Sequence, residues 1–84
     1  MDLNENSSKE KILNYIEKDP FYFLYYFSDR PWAETYIDEA ARRTIEEDPF
    51  SFLHQYLNKP WAQPYMDEAA KSAAKKYPEH FIEH

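Results

Sequence analysis

Apolar residues along the chain fall at helical spacing, and Pro steps cut that pattern into segments. Residues 1–7, acidic and polar, read as a disordered lead-in. Ser7-Ser8-Lys9-Glu10 then offers a capping box, with Ser7 as N-cap and Glu10 three residues on. Ile12, Leu13, Tyr15 and Ile16 follow, predicting a helix over about 8–18. Asp19-Pro20 stops that helix and starts a second, because Asp caps well, Pro suits the first helical position, and the residue before Pro disfavours the α region. The second helix, about 20–27, is so aromatic that its composition would also suit a strand. Its later copy decides for helix, with an apolar stripe at Phe50, Leu53, Tyr56 and Leu57. Asp29 is placed to cap a long helix over about 30–47, whose apolar face carries Trp32, Ala33, Tyr36, Ile37, Ala40, Ala41, Thr44 and Ile45. Asp38/Arg42 and Glu39/Arg43 form i,i+4 pairs on it.

The same order then recurs. Asp19-Pro20-Phe21 returns as Asp48-Pro49-Phe50, Pro31-Trp32-Ala33 as Pro60-Trp61-Ala62, and Asp38-Glu39-Ala40-Ala41 as Asp67-Glu68-Ala69-Ala70. The offset is constant, since 48 − 19, 60 − 31 and 67 − 38 all equal 29. A fixed period of this size marks stacked supersecondary units. The second copy has Pro64 where the first has Thr35, so residues 60–63 are expected as a separate turn or 3₁₀ piece in that copy. Tyr77-Pro78 would open a third short helix. The predicted fold is all-α: a right-handed αα-solenoid fragment of about six helices, forming one domain over residues 8–84 with units 19–47 and 48–76 and partial units at both ends.

Comparing the copies separates shared packing from specialised positions. Phe21/Phe50, Phe23/Phe52, Leu24/Leu53, Trp32/Trp61, Ala33/Ala62, Tyr36/Tyr65, Ala40/Ala69 and Ala41/Ala70 recur, and all are assigned to the core, with the tryptophans filling the space between successive helix pairs. Tyr22, Tyr25 and Tyr26 do not recur: Ser51, His54 and Gln55 replace them. At i, i+3 and i+4 the three tyrosines share one helix face. Two readings are open. They form an exposed patch of the kind interfaces favour, or Ile12, Tyr15 and Ile16 of the first helix cover them.

Composition narrows the function. Formal net charge is −6, against a nucleic-acid partner, whose phosphates call for Lys and Arg. There is no Cys, hence no disulfide or thiolate chemistry, and no Gly, which excludes a dinucleotide fingerprint or P-loop. The aromatic share is 19%, so aromatics must build the core. No apolar run is long enough to span a membrane, and the acidic N-terminus lacks the charge and apolar regions of a signal peptide, so a cytoplasmic location is expected. Ser and Thr residues have no accompanying His–Asp arrangement, so the chain is expected not to be an enzyme and to need no cofactor. His80 and His84, four apart around Glu83, are the one metal-like spacing, and they fall in the last five residues, where helices fray; no metal site is assigned. The paired carboxylates Asp38-Glu39 and Asp67-Glu68 read as surface ion-pair members rather than acid–base catalysts, because adjacent helix residues diverge by about 100°.

An αα unit opening on Asp-Pro with a period of 29 resembles the short-period HEAT-like repeats and, more loosely, tetratricopeptide-type solenoids. The resemblance implies a protein-binding scaffold and carries over no site residues. The expected function is protein–protein interaction, as adaptor or inhibitor, through a surface that includes Tyr22, Tyr25 and Tyr26. The alternative is self-association, with incomplete ends of two chains stacking to give a homo-oligomer.

Overall fold

A computed structural model describes residues 3–76, and among them it is all-helical, without a strand. Five α-helices are present: α1 (Lys9–Lys18), α2 (Pro20–Phe27), α3 (Ile37–Glu47), α4 (Pro49–Tyr56) and α5 (Met66–Lys76). Two 3₁₀ segments, Pro31–Tyr36 and Pro60–Tyr65, precede α3 and α5. The sixth helix expected from Tyr77-Pro78 lies outside the described residues. The chain divides into two compact units, Met1–Arg43 and Thr44–His84. No described residue has positive φ and no described peptide bond is cis, in keeping with a chain that has no Gly.

In the first unit, the described residues before α1 form a turn. Asn4 N–H donates to Ser7 Oγ at 2.9 Å, Ser7 N–H to the Asn4 carbonyl at 2.9 Å, and Leu3 is buried. Ser7 is occupied in this turn, so the N-cap is Ser8, whose Oγ accepts from Lys11 N–H at 3.1 Å. Ile12 and Ile16 are the buried face of α1, which packs on α2. In α2 the buried residues are Pro20, Phe23, Leu24 and Phe27, a stripe at i, i+3, i+4 and i+7.

The expected long helix over 30–47 is two elements. Arg30 is extended (φ −88°, ψ 132°), as a residue before Pro must be, and Arg30, not Asp29, holds the cap position. Asp29 lies 3.7 Å from Arg30 Nε instead. From Pro31 the backbone winds as 3₁₀, then relaxes to α at Ile37. The second copy changes at the equivalent bond, between Tyr65 and Met66. Thr35 in the first copy and Pro64 in the second give the same result, so Pro64 is not its cause. What the copies share is the Pro-Trp-Ala start. A 3₁₀ winding eclipses i and i+3, which aligns Ala33 with Tyr36 and Ala62 with Tyr65. Both alanines are fully buried and both tyrosines half-buried.

In the second unit, α4 packs on α5, with Pro49, Phe52 and Tyr56 buried on one and Ala69 and Ala73 on the other. The small alanines let the helices approach closely. The buried face of α4 is not the expected stripe: Phe50 and Leu57 are exposed and Leu53 half-buried. Asp48 caps α4, its Oδ1 accepting from Ser51 N–H at 3.1 Å and its Oδ2 from Ser51 Oγ at 2.7 Å. The Gln63 amide closes the following turn, donating to the carbonyls of Leu57 at 2.8 Å and Lys59 at 3.1 Å. Lys76 Nζ, at the end of α5, donates to the carbonyls of Glu46 at 2.6 Å and Glu47 at 3.1 Å, two of the last carbonyls of α3, which no further helical turn can satisfy.

The tryptophans are half-buried rather than deeply enclosed, and each lies against the short helix of its own unit. Trp32 stands 6.3 Å from Phe23 and 5.5 Å from Phe27, while Trp61 stands 6.2 Å from Phe52 and 5.2 Å from Tyr56.

Candidate functional site

Turning the α2 stripe inward turns Tyr22, Tyr25 and Tyr26 outward, because these positions lie between the buried ones on the helix. They are 50%, 54% and 54% exposed. The helix is therefore apolar all round yet buried on one face only, a combination ordinary surface helices avoid.

α1 does not cover the three rings. Its Tyr15 packs on the inward face instead, 6.2 Å from Phe23 and 5.9 Å from Phe27, the second contact edge-on. Burial, with lesser contributions from Asp19 and Tyr26, raises the Tyr15 phenol above its ordinary value. So Tyr15 lies between the core and the rim of the exposed cluster.

The exposed rings support one another. Tyr22 and Tyr26 stack at 6.1 Å with planes 25° apart, one turn from each other. Tyr25 meets Tyr26 edge-on at 5.1 Å and Tyr22 edge-on at 6.4 Å. Phe21 meets Tyr22 edge-on at 5.4 Å. Aromatic pairs in these geometries contribute about 0.5–1.5 kcal/mol beyond area burial, so the cluster is held rather than left to sample many rotamers. A side chain with only two free torsions, already fixed by neighbours, loses little entropy on meeting a partner.

The second copy has no such cluster. Its residues at the equivalent places are Ser51, half-buried at the cap, and His54 and Gln55, both exposed. The difference has an electrostatic consequence that the sequence reading missed. Asp19 occupies the same cap position as Asp48, with a similar backbone (φ −140°, ψ 67° against φ −152°, ψ 76°), yet its carboxylate makes no cap hydrogen bond. Tyr22 stands where Ser51 supplies a hydroxyl. The signal was in the sequence: the third residue after each capping Asp differs in kind.

Other candidate groups do not build a site. An open groove of about 700 Å³ runs along α1, lined by Ser8, Glu10, Lys11, Asn14, Tyr15, Lys18 and Asp19. Asp38 pairs with Arg42 at 3.1 Å, Glu39 with Arg43, and Asp67 with Lys71 at 3.8 Å, so these adjacent carboxylates serve their own helices. Among the described residues no group of three or more His, Asp or Glu side chains is placed to hold a metal ion; His80, Glu83 and His84 lie outside them. No helix among the described residues is long and apolar enough to cross a membrane. No protein-family model matches this chain, and neither a curated protein nor a solved structure matches it.

Proposed function

We propose that this chain is a non-enzymatic protein-interaction module whose contact surface is centred on Tyr22, Tyr25 and Tyr26. The observation that carries the reading is the exposure of all three rings on a helix whose copy has Ser51, His54 and Gln55 at the same places. The fold forms the second short helix without aromatics there, so packing does not require them in the first. Interface energy concentrates in a few Tyr, Trp and Arg residues, and three pre-positioned tyrosines are the form such an anchor takes. The corresponding elements start at a constant offset of 29 (49 − 20, 60 − 31 and 66 − 37), which supports a tandem-repeat frame of the solenoid kind presenting this surface. The partner is another protein, met in the cytoplasm.

The test copies the second unit into the first with Tyr22→Ser, Tyr25→His and Tyr26→Gln. The expected variant keeps its melting temperature to within a few degrees and no longer captures the partner that the unaltered protein pulls down from its host. A large fall in melting temperature would show that the rings hold the fold together, and full capture by a folded variant would place the interface elsewhere. Light scattering on both proteins covers self-association: a dimer that the triple change dissolves would make the partner a second copy.

A further inference from the structure

We propose that the partner inserts an arginine side chain at the N-terminal end of the tyrosine cluster, its guanidinium paired with the Asp19 carboxylate and stacked on the exposed face of Tyr22. The inference rests on the interaction reading above and adds the chemistry of what is recognised.

It starts from the difference between the two caps. The Asp48 carboxylate is used twice by one neighbour, Ser51, through the backbone N–H at 3.1 Å and the hydroxyl at 2.7 Å. Asp19 has the same place and a similar backbone, and the interaction it does have is with the Tyr15 phenol, which its charge helps to raise; it makes no cap hydrogen bond. The substitution that leaves it so is also the one that installs an aromatic ring: Tyr22 stands at the position from which Ser51 reaches Asp48. One exchange between the copies thus leaves the cap carboxylate without that partner and puts an exposed aromatic residue three positions after it, where Ser51 meets Asp48. Tyr26, 6.1 Å from Tyr22 with the planes 25° apart, adds a second exposed ring beside it.

A planar cation satisfies both groups at once. Guanidinium offers a fork that matches a carboxylate and a flat surface that stacks on an aromatic ring, which a lysine ammonium does not. The charge balance agrees: α2 carries no charged residue of its own, and the chain's net charge of −6 favours approach of a basic segment. Lys18, beside Asp19 in sequence, sits in the last turn of α1, where it complements that helix's own dipole.

The test uses blocked hexa-arginine and hexalysine peptides as probes of equal charge, titrated into the full chain and followed by amide chemical shifts. Saturable shifts are expected at Asp19, Tyr22, Tyr25 and Tyr26, with hexa-arginine binding about 5-fold tighter than hexalysine, the equivalent of about 1 kcal/mol from stacking and pairing. Asp19→Asn removes that preference with the fold intact, since Asn also suits a helix cap, and Asp48→Asn leaves it. Tyr22→Ser removes it too, because the new hydroxyl can engage Asp19 as Ser51 engages Asp48. Equal affinity for the two peptides, shifts spread over all acidic residues, or a preference that survives both Asp19→Asn and Tyr22→Ser would overturn the proposal. The two readings fail separately: a native partner lost with the triple tyrosine change but captured undiminished by Asp19→Asn refutes the arginine seat and leaves the tyrosine surface standing.

Discussion

Replacing Lys76 by Met should lower the stability of this protein measurably, whereas the same change at Lys75 should not. The two lysines are neighbours in the last turn of α5, and both lie near the negative end of its dipole. Only Lys76 is seen to reach back to α3, donating to the carbonyls of Glu46 and Glu47 at 2.6 and 3.1 Å. That end of α3 has acidic residues and no basic one in its last turn, an unfavourable arrangement that the Lys76 ammonium offsets from outside. The amine is exposed, so the value is that of a surface charge–dipole contact plus two solvent-competed hydrogen bonds, together about 1 kcal/mol. Lys75 has the dipole contribution of α5 alone, a few tenths of a kcal/mol. For a domain under 100 residues, about 1 kcal/mol moves the midpoint by about 4–8 °C. Thermal unfolding followed by circular dichroism, at low salt and near 1 M, is the assay. The Lys76→Met loss should shrink at high salt, where the Debye length falls to about 3 Å. Equal losses from both substitutions would refute the bridging contact and leave only a general charge effect; a loss untouched by salt would point to packing of the aliphatic stem.

Three further outcomes follow from the same contacts. Asp48→Ala should cost about 1 kcal/mol of stability through loss of the Ser51 cap, and Asp19→Ala only a few tenths, since it makes no cap bond; comparative urea melts read the difference. Phe23→Ala, at a fully buried position, should cost about 3–5 kcal/mol and Trp32→Ala about half that, with indole emission and quenching intermediate between free and enclosed; a Trp32 loss equal to that of Phe23 would contradict the half-burial. Tyr15, with its phenol raised above the ordinary value of about 10, holds full stability below that pH and loses it as pH climbs toward the folded value, so Tyr15→Phe should flatten the alkaline fall in stability above about pH 10.

The helices of this chain were legible because their starts are written in local chemistry: Ser8 or Ser7 before an acidic turn, and Asp-Pro twice. The phase of α4 was not. Ser51, His54 and Gln55 mark a polar face opposite Pro49, Phe52 and Tyr56, but counting Phe50 and Leu57 as core while passing over Pro49 turned the helix the wrong way. The 3₁₀ winding over Pro31–Tyr36 was missed because Thr35 carries no backbone signal, and the feature the two 3₁₀ segments share is the Pro-Trp-Ala start rather than Pro64. Lys76 to Glu46 spans thirty residues, and no short-range rule finds such a pair. The exposure of Tyr22, Tyr25 and Tyr26 could be weighed beforehand because the chain supplies its own control in Ser51, His54 and Gln55. The missing cap bond at Asp19 was readable from the same comparison, but only once the Ser51 hydroxyl was seen on Asp48.

The absence of glycine, with every described φ negative, has a consequence for how this molecule can be dissected. In most small domains a few turns depend on a residue without a Cβ, and changing one there mixes backbone strain with lost contacts. Here every described non-proline residue already has a Cβ and already tolerates it. An alanine scan across those positions therefore perturbs side chains and caps without forcing any φ into a region it avoids. The unfolded chain, lacking glycine's extra freedom and stiffened by six prolines, also begins from a narrower ensemble than its length implies. Part of its stability is thus held in the state where no contact can be drawn.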